Sequence, residues 1–132
     1  MDFKKLDVIG VAEKGFDYVF IDPRDGTETD VVISVIGAGS RTYKQADAKI
    51  EAYKAQCYKR GKTPDDEVLE DLNIKLVASC TRDWKGVEED GKPIKYSFDE
   101  AVRMYKAYPL LTNQVIGAIH DVVNQLEGNS KT

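Results

Sequence analysis

Phe16-Asp17-Tyr18-Val19-Phe20-Ile21, Asp22-Pro23-Arg24-Asp25-Gly26, Val31-Val32-Ile33-Ser34-Val35-Ile36 and Gly37-Ala38-Gly39-Ser40 follow one another along the chain, and this order decides the fold. The two apolar runs have strand length and are rich in β-branched and aromatic residues, which fit a pleated surface. Between them Pro23 presets one backbone dihedral and Gly26 accepts positive φ, so the chain turns there. The connection from Asp22 to Asp30 is longer than a tight hairpin, and the runs are expected to pair antiparallel across it. Both runs are nearly continuous in apolar residues, which predicts burial on both faces, by the chain's own helices or by another subunit. Val8–Val11 is a candidate third strand.

After the second strand the period changes. Ser40 stands at an N-cap position, and a helix is predicted over Arg41–Arg60, stopped by Gly61. Tyr43, Ala46, Ile50, Tyr53 and Cys57 recur at helical spacing. That stripe packs on the strands or forms a seam with another copy. Thr63-Pro64-Asp65-Asp66 is a helix start, with threonine as the cap and proline at the first helical position, and the helix is expected to end near Ser79. Cys80–Tyr96 is the least regular stretch, with turn dipeptides at Asp90-Gly91 and Lys92-Pro93. Ser97-Phe98-Asp99-Glu100 is a capping box for a short helix to about Ala107, which Tyr108-Pro109 breaks. A last helix is predicted from about Leu111 to Glu127.

These readings make an α+β fold, an N-terminal antiparallel β-hairpin with a candidate third strand and about four α-helices after it. The 132 residues suit a single domain over 1–127, with 128–132 a polar, frayed tail. A net charge of −4 argues against a nucleic-acid surface, which needs a basic field. The Met1-Asp2-Phe3-Lys4-Lys5 start opens no run long enough for a signal peptide or a membrane span, so the expected compartment is the cytoplasm. Cys57 and Cys80 are too few for a disulfide framework and form no CxxC pair, and no zinc site is expected.

The search for chemistry is negative. His120 is the sole histidine, and no nucleophile motif accompanies it, so it is expected at a solvated or boundary position. Gly37-Ala38-Gly39-Ser40 matches neither dinucleotide nor P-loop spacing and is expected to be a strand-to-helix turn. Glu88-Glu89-Asp90 lacks the alternation of a calcium loop and is expected to be a solvated acidic turn. No catalytic residue, metal ligand or cofactor is assigned. Trp84, the sole tryptophan, stands in a polar loop. It either folds back onto the core or anchors an interface. In the last helix Leu111, Val115, Ile119, Val122 and Leu126 form a stripe that Ile116 and Val123 widen. This is a plain core face or a docking face for a partner.

Three stretches carry a resemblance. They are the strand–turn–strand ending in Gly37-Ala38-Gly39-Ser40 with the Tyr43 helix; Thr81-Arg82-Asp83-Trp84-Lys85-Gly86-Val87 with Asp90-Gly91-Lys92-Pro93-Ile94 and Ser97-Phe98-Asp99-Glu100-Ala101; and Tyr108-Pro109-Leu110-Leu111 with Gln114 and the following helix. In this order, from about Phe16 to Leu126, the chain resembles the tail assembly chaperones of long-tailed bacteriophages and prophages. It departs from them at Leu110-Leu111, where a second tryptophan beside the proline is expected. The resemblance implies a non-enzymatic protein that self-associates, binds the tape measure protein or the tail tube protein, and is absent from the finished virion. It also implies that a longer frameshifted form is common. The alternatives are a virion structural protein of the tail tube or tail completion kind, and a small enzyme or accessory using the acidic residues of the 83–90 loop.

Overall fold

The computed structural model describes residues 1–121. A 3-10 turn, Phe3–Leu6, leads into helix α1, Val8–Lys14. The candidate strand at Val8–Val11 is therefore helical. Asp7 accepts from Gly10 N and starts the helix, and Gly15 ends it at φ 76°. A Cβ on Gly15 would lie 2.3 Å from the Val35 carbonyl oxygen, so only glycine lets the chain pass there into the sheet.

Strands β1, Phe16–Ile21, and β2, Glu28–Val35, pair antiparallel as expected, with β2 starting before Val31. The third strand of this sheet is β3, Thr81–Lys85, drawn from the stretch that reads as irregular. It pairs antiparallel with β2, and the order is β1-β2-β3. Phe16, Tyr18, Phe20, Ile33, Val35 and Trp84 join the hydrophobic core. Their neighbours along the strands do not: Asp17 pairs across to Ser34 and Ser34 to Asp83, and Ser34 Oγ donates to Asp17 Oδ1 at 2.6 Å. The core thus lies on one face of the sheet, and the chain's own helices do not bring the second face into it. An antiparallel sheet can leave its second face wet.

Helix α2, Arg41–Lys59, starts at Ser40, whose Oγ accepts from Tyr43 N, and a positive-φ Gly61 follows its end. Helix α3, Asp66–Ser79, starts two residues later than expected. Its cap is Asp65, which accepts from Glu67 N and Val68 N. Asp65 is in extended backbone and its carboxylate reaches two amides of the first turn, so it, and not Thr63, caps the helix. Helix α4, Phe98–Ala107, has the expected Ser97 cap. Helix α5 begins at Pro109, not Leu111, and spans Pro109–His120. Proline fits the first helical position because its missing N–H would have had no partner there. The predicted continuation of α5 to Glu127, and the tail at 128–132, lie outside the described residues.

Two hydroxyls tie the helices to β3. Thr81 Oγ1 donates to Val77 O at 3.0 Å, so at 2.7 Å it must accept from the buried Tyr105 OH. Tyr96 OH donates to Thr81 O at 2.6 Å. Gln114 of α5 pins β1: its Oε1 accepts from Ile21 N and Tyr18 OH, and its Nε2 donates to Ile21 O.

Candidate protein-docking cleft

A cleft of about 530 Å³ opens where the β1–β2 turn meets the junction of α4 and α5. Three segments far apart in sequence build it. The first brings Phe20, Val31 and the Asp22-Pro23-Arg24 turn. The second is the excursion Val87–Asp90. The third brings Met104, Tyr108, Leu110 and Leu111. Val87, Met104 and Leu111 are buried and form the floor, while Leu110 is 63% exposed at the mouth. The helix explains this pair of leucines. Adjacent residues point about 100° apart, so when Leu111 turns inward Leu110 cannot follow.

The acidic wall is held in place. Strands β4, Glu88–Glu89, and β5, Lys92–Pro93, pair across Asp90 and Gly91, both at positive φ as in a tight hairpin turn. Trp84 anchors this excursion from below. Its Nε1 donates to Ile94 O at 2.8 Å, and its ring stands edge-on to Tyr96 and Tyr105. At the mouth, Tyr108 OH donates to Glu89, and Arg103 donates to Glu89 Oε1 at 3.0 Å and to Glu100 Oε2 at 2.7 Å. The Tyr108 hydroxyl and then Arg103 hold the Glu89 carboxyl below its usual range. Arg24 is bound to Asp22. Among the described residues Glu88 and Asp90 have no ion-pair partner, so the rim is net acidic.

Trp84, 6% exposed, lies in the core cluster. Leu111, Val115 and Ile119 are buried against the sheet and the other helices. Of the predicted stripe's described residues, Ile116 alone reaches the surface, in a groove beside Leu69 and Val77. Val122, Val123 and Leu126 lie outside the described residues. Leu110, Tyr108, Met104, Phe20 and Val31 escaped the sequence reading as site residues, although the Leu110-Leu111 doublet after Tyr108-Pro109 was a usable signal.

The chemical candidates are accounted for by structure. His120 is exposed; its Nδ1 faces the Ile116 carbonyl at 3.0 Å, which can only accept, so Nε2 is left to accept from Tyr43 OH at 3.0 Å. Gly37–Ser40 is a turn, and Ala38 N in it donates to Ile119 O. Burial pushes the Cys80 thiol up to about 11, away from reactivity. Among the described residues no group of three or more His, Cys, Asp and Glu side chains could hold a metal ion. No described helix is long and apolar enough to cross a membrane.

A family model described as YdaY prophage protein matches residues 38–130. The chain belongs to this family. The match begins in the turn after β2 and takes in α2 to α5, Trp84, the acidic excursion and the Tyr108–Leu111 junction. Two walls of the cleft thus lie inside the family region of this prophage protein, and the β1–β2 wall lies before it. No curated protein and no solved structure matches the chain.

Proposed function

We propose that this prophage protein is a non-enzymatic, protein-binding chaperone for phage tail assembly in the host cytoplasm. It binds the tape measure protein, the tail tube protein or both, and is absent from the finished particle. The observation that carries the reading is the cleft, an open apolar surface with exposed Leu110 and Tyr108 on a rigid frame. Apolar surface without a partner is what a holding protein must offer, and contiguous patches of this sort mark protein-interaction sites. Prophage membership and the resemblance to tail assembly chaperones point the same way.

Co-expression with the tail proteins encoded beside it, followed by pull-down, tests the reading. Capture of a tape measure or tube protein by the wild type, and its loss in Leu110→Asp, is the expected outcome. Capture of neither by the wild type refutes it. Mass spectrometry of purified particles separates a chaperone from a virion component, since the chaperone is missing from them.

A further inference from the structure

The cleft has walls of two kinds. Phe20 and Val31 on the β1–β2 side, and Met104, Leu110 and Leu111 on the α4–α5 side, are apolar, and the excursion Val87–Asp90 makes the remaining side acidic. The carboxylates of that side are not equally free. Both oxygens of Glu89 are taken, Oε1 by Arg103 and Oε2 by Tyr108 OH. Arg103 also serves Glu100, so one guanidinium faces two carboxylates. Glu88 and Asp90 are exposed, and neither is in an ion pair among the described residues.

No cation of the cleft's own cancels this charge. Arg24 is the sole cation among the lining residues, and Asp22 holds it at 2.7 Å. Lys92, opposite Glu89 in the β4–β5 hairpin, does not line the cleft. The chain as a whole, with a net charge of −4, adds to the same sign. Size limits the occupant as well. About 530 Å³ lies in the ~300–1,000 Å³ range of sites that hold a drug-sized ligand, so the cleft takes a few side chains rather than a broad protein face. A purely apolar segment would strip water from Glu88 and Asp90 without replacing it, and an acidic one would meet like charge. Lys and Arg suit the place, because their aliphatic stems lie along apolar surface while the charged heads stay wet.

We infer that the cleft takes a short segment of a partner protein in which apolar side chains are flanked by Lys or Arg. The apolar groups sit over Val87, Met104 and Leu111, and the cations face Glu88 and Asp90. This rests on the reading of the cleft as a protein-docking surface and names what that surface selects. Glu89 takes no partner cation; with Tyr108 and Arg103 it holds the acidic wall in place.

The test uses the full chain and matched synthetic peptides, read by fluorescence anisotropy: leucines interspersed with lysines, with glutamines or with glutamates. The leucine–lysine peptide should bind, the leucine–glutamine peptide about fivefold more weakly, as exposed charge pairs contribute modestly, and the leucine–glutamate peptide more weakly still. Glu88→Gln with Asp90→Asn should abolish the preference for lysine over glutamine and flatten the salt dependence. Glu88 is exposed, and asparagine accepts the φ of 54° at position 90, so the fold survives, which circular dichroism checks. Glu67→Gln with Glu70→Gln removes the same charge from exposed positions of α3 that do not line the cleft, and should leave binding unchanged. Leu110→Asp adds a negative charge at the mouth. It should weaken the leucine–lysine peptide about tenfold by removing the apolar seat, whereas mere attraction of a cation to an acidic protein would be kept or strengthened. Failure of the leucine–lysine peptide to bind, equal binding of all the peptides, a preference that survives the Glu88 and Asp90 double variant, or binding that Leu110→Asp leaves intact each overturns the inference. A tail protein captured by a cleft without charge preference leaves the proposed function standing, and charge preference without such capture does the reverse, so the two fail separately.

Discussion

Replacing Trp84 by alanine should be among the most damaging single changes in this protein. The indole is 6% exposed, donates to Ile94 O at 2.8 Å, and lies 5.2 Å from Tyr96 and 6.5 Å from Tyr105, ring centre to ring centre. A buried tryptophan removes about 200 Å² from water, which at ~25 cal/mol/Å² sets an upper bound of about 5 kcal/mol. Measured truncations of buried aromatics cost ~3–5 kcal/mol. About 4 kcal/mol is then expected, a large part of the ~5–15 kcal/mol that holds a domain folded. For a chain of this length that corresponds to a fall in Tm of roughly 14 °C. Far-UV circular dichroism in urea is the assay, because the variant loses the only tryptophan fluorophore. Trp84→Phe separates the contributions. It keeps most of the packing and removes the donor to Ile94 O, for a loss of about 1–2 kcal/mol. An alanine variant within about 1 kcal/mol of wild type would refute the argument that Trp84 staples the acidic excursion to the sheet.

Gln114→Leu leaves the Ile21 backbone pair and Tyr18 OH without their partner; a loss of about 2–3 kcal/mol is expected, with faster amide exchange at Ile21 read by hydrogen-exchange NMR. Native protein treated with iodoacetamide near neutral pH should modify Cys57, which is half-buried, and spare Cys80, whose thiol is raised to about 11 by burial; peptide mapping reads both sites. Arg24 holds the Asp22 carboxyl down to about 2, so whatever the pair contributes is present above the ordinary carboxylate range and is lost as pH falls through about 2. A carboxyl NMR titration should show that low midpoint, and Arg24→Gln should return it toward the ordinary value.

The hairpin and the helices were legible because their signals are local. Val31–Ile36 is dense in β-branched residues, Ser40 and Ser97 are caps, and Tyr108-Pro109 breaks a helix for steric reasons that need no tertiary context. Val8–Val11 misled for the same reason. Its β-branched residues suit a strand, but the Asp7 side chain captures Gly10 N and commits the backbone to a turn of helix. Strand β3 was illegible because an edge strand with one wet face needs few apolar residues. Only Thr81 and Trp84 point inward, and Arg82, Asp83 and Lys85 read as loop. Burial on both faces of the hairpin was inferred from runs that are apolar throughout. Val19 and Val32 account for that appearance: they pair with each other on the outer face and stay outside the core cluster.

The cleft was harder to foresee than any element, and the reason is physical. No wall of it is distinctive alone. Phe20 and Val31 read as ordinary strand residues, Glu88–Asp90 as a solvated turn, and Leu110 as part of a helical stripe. The site exists because Gln114 sets where α5 crosses β1, Pro109 sets where α5 begins, and Trp84 sets how far the excursion leans over the sheet. Each of these three acts at a distance that sequence periodicity does not see. The apolar stripe Leu111, Val115 and Ile119 was legible for the opposite reason, since a helical repeat is local. Yet a regular stripe that packs fully, as this one does, leaves nothing for a partner. In this fold the apolar side chain left exposed at the cleft comes from a residue that breaks the repeat, Leu110 beside the buried Leu111.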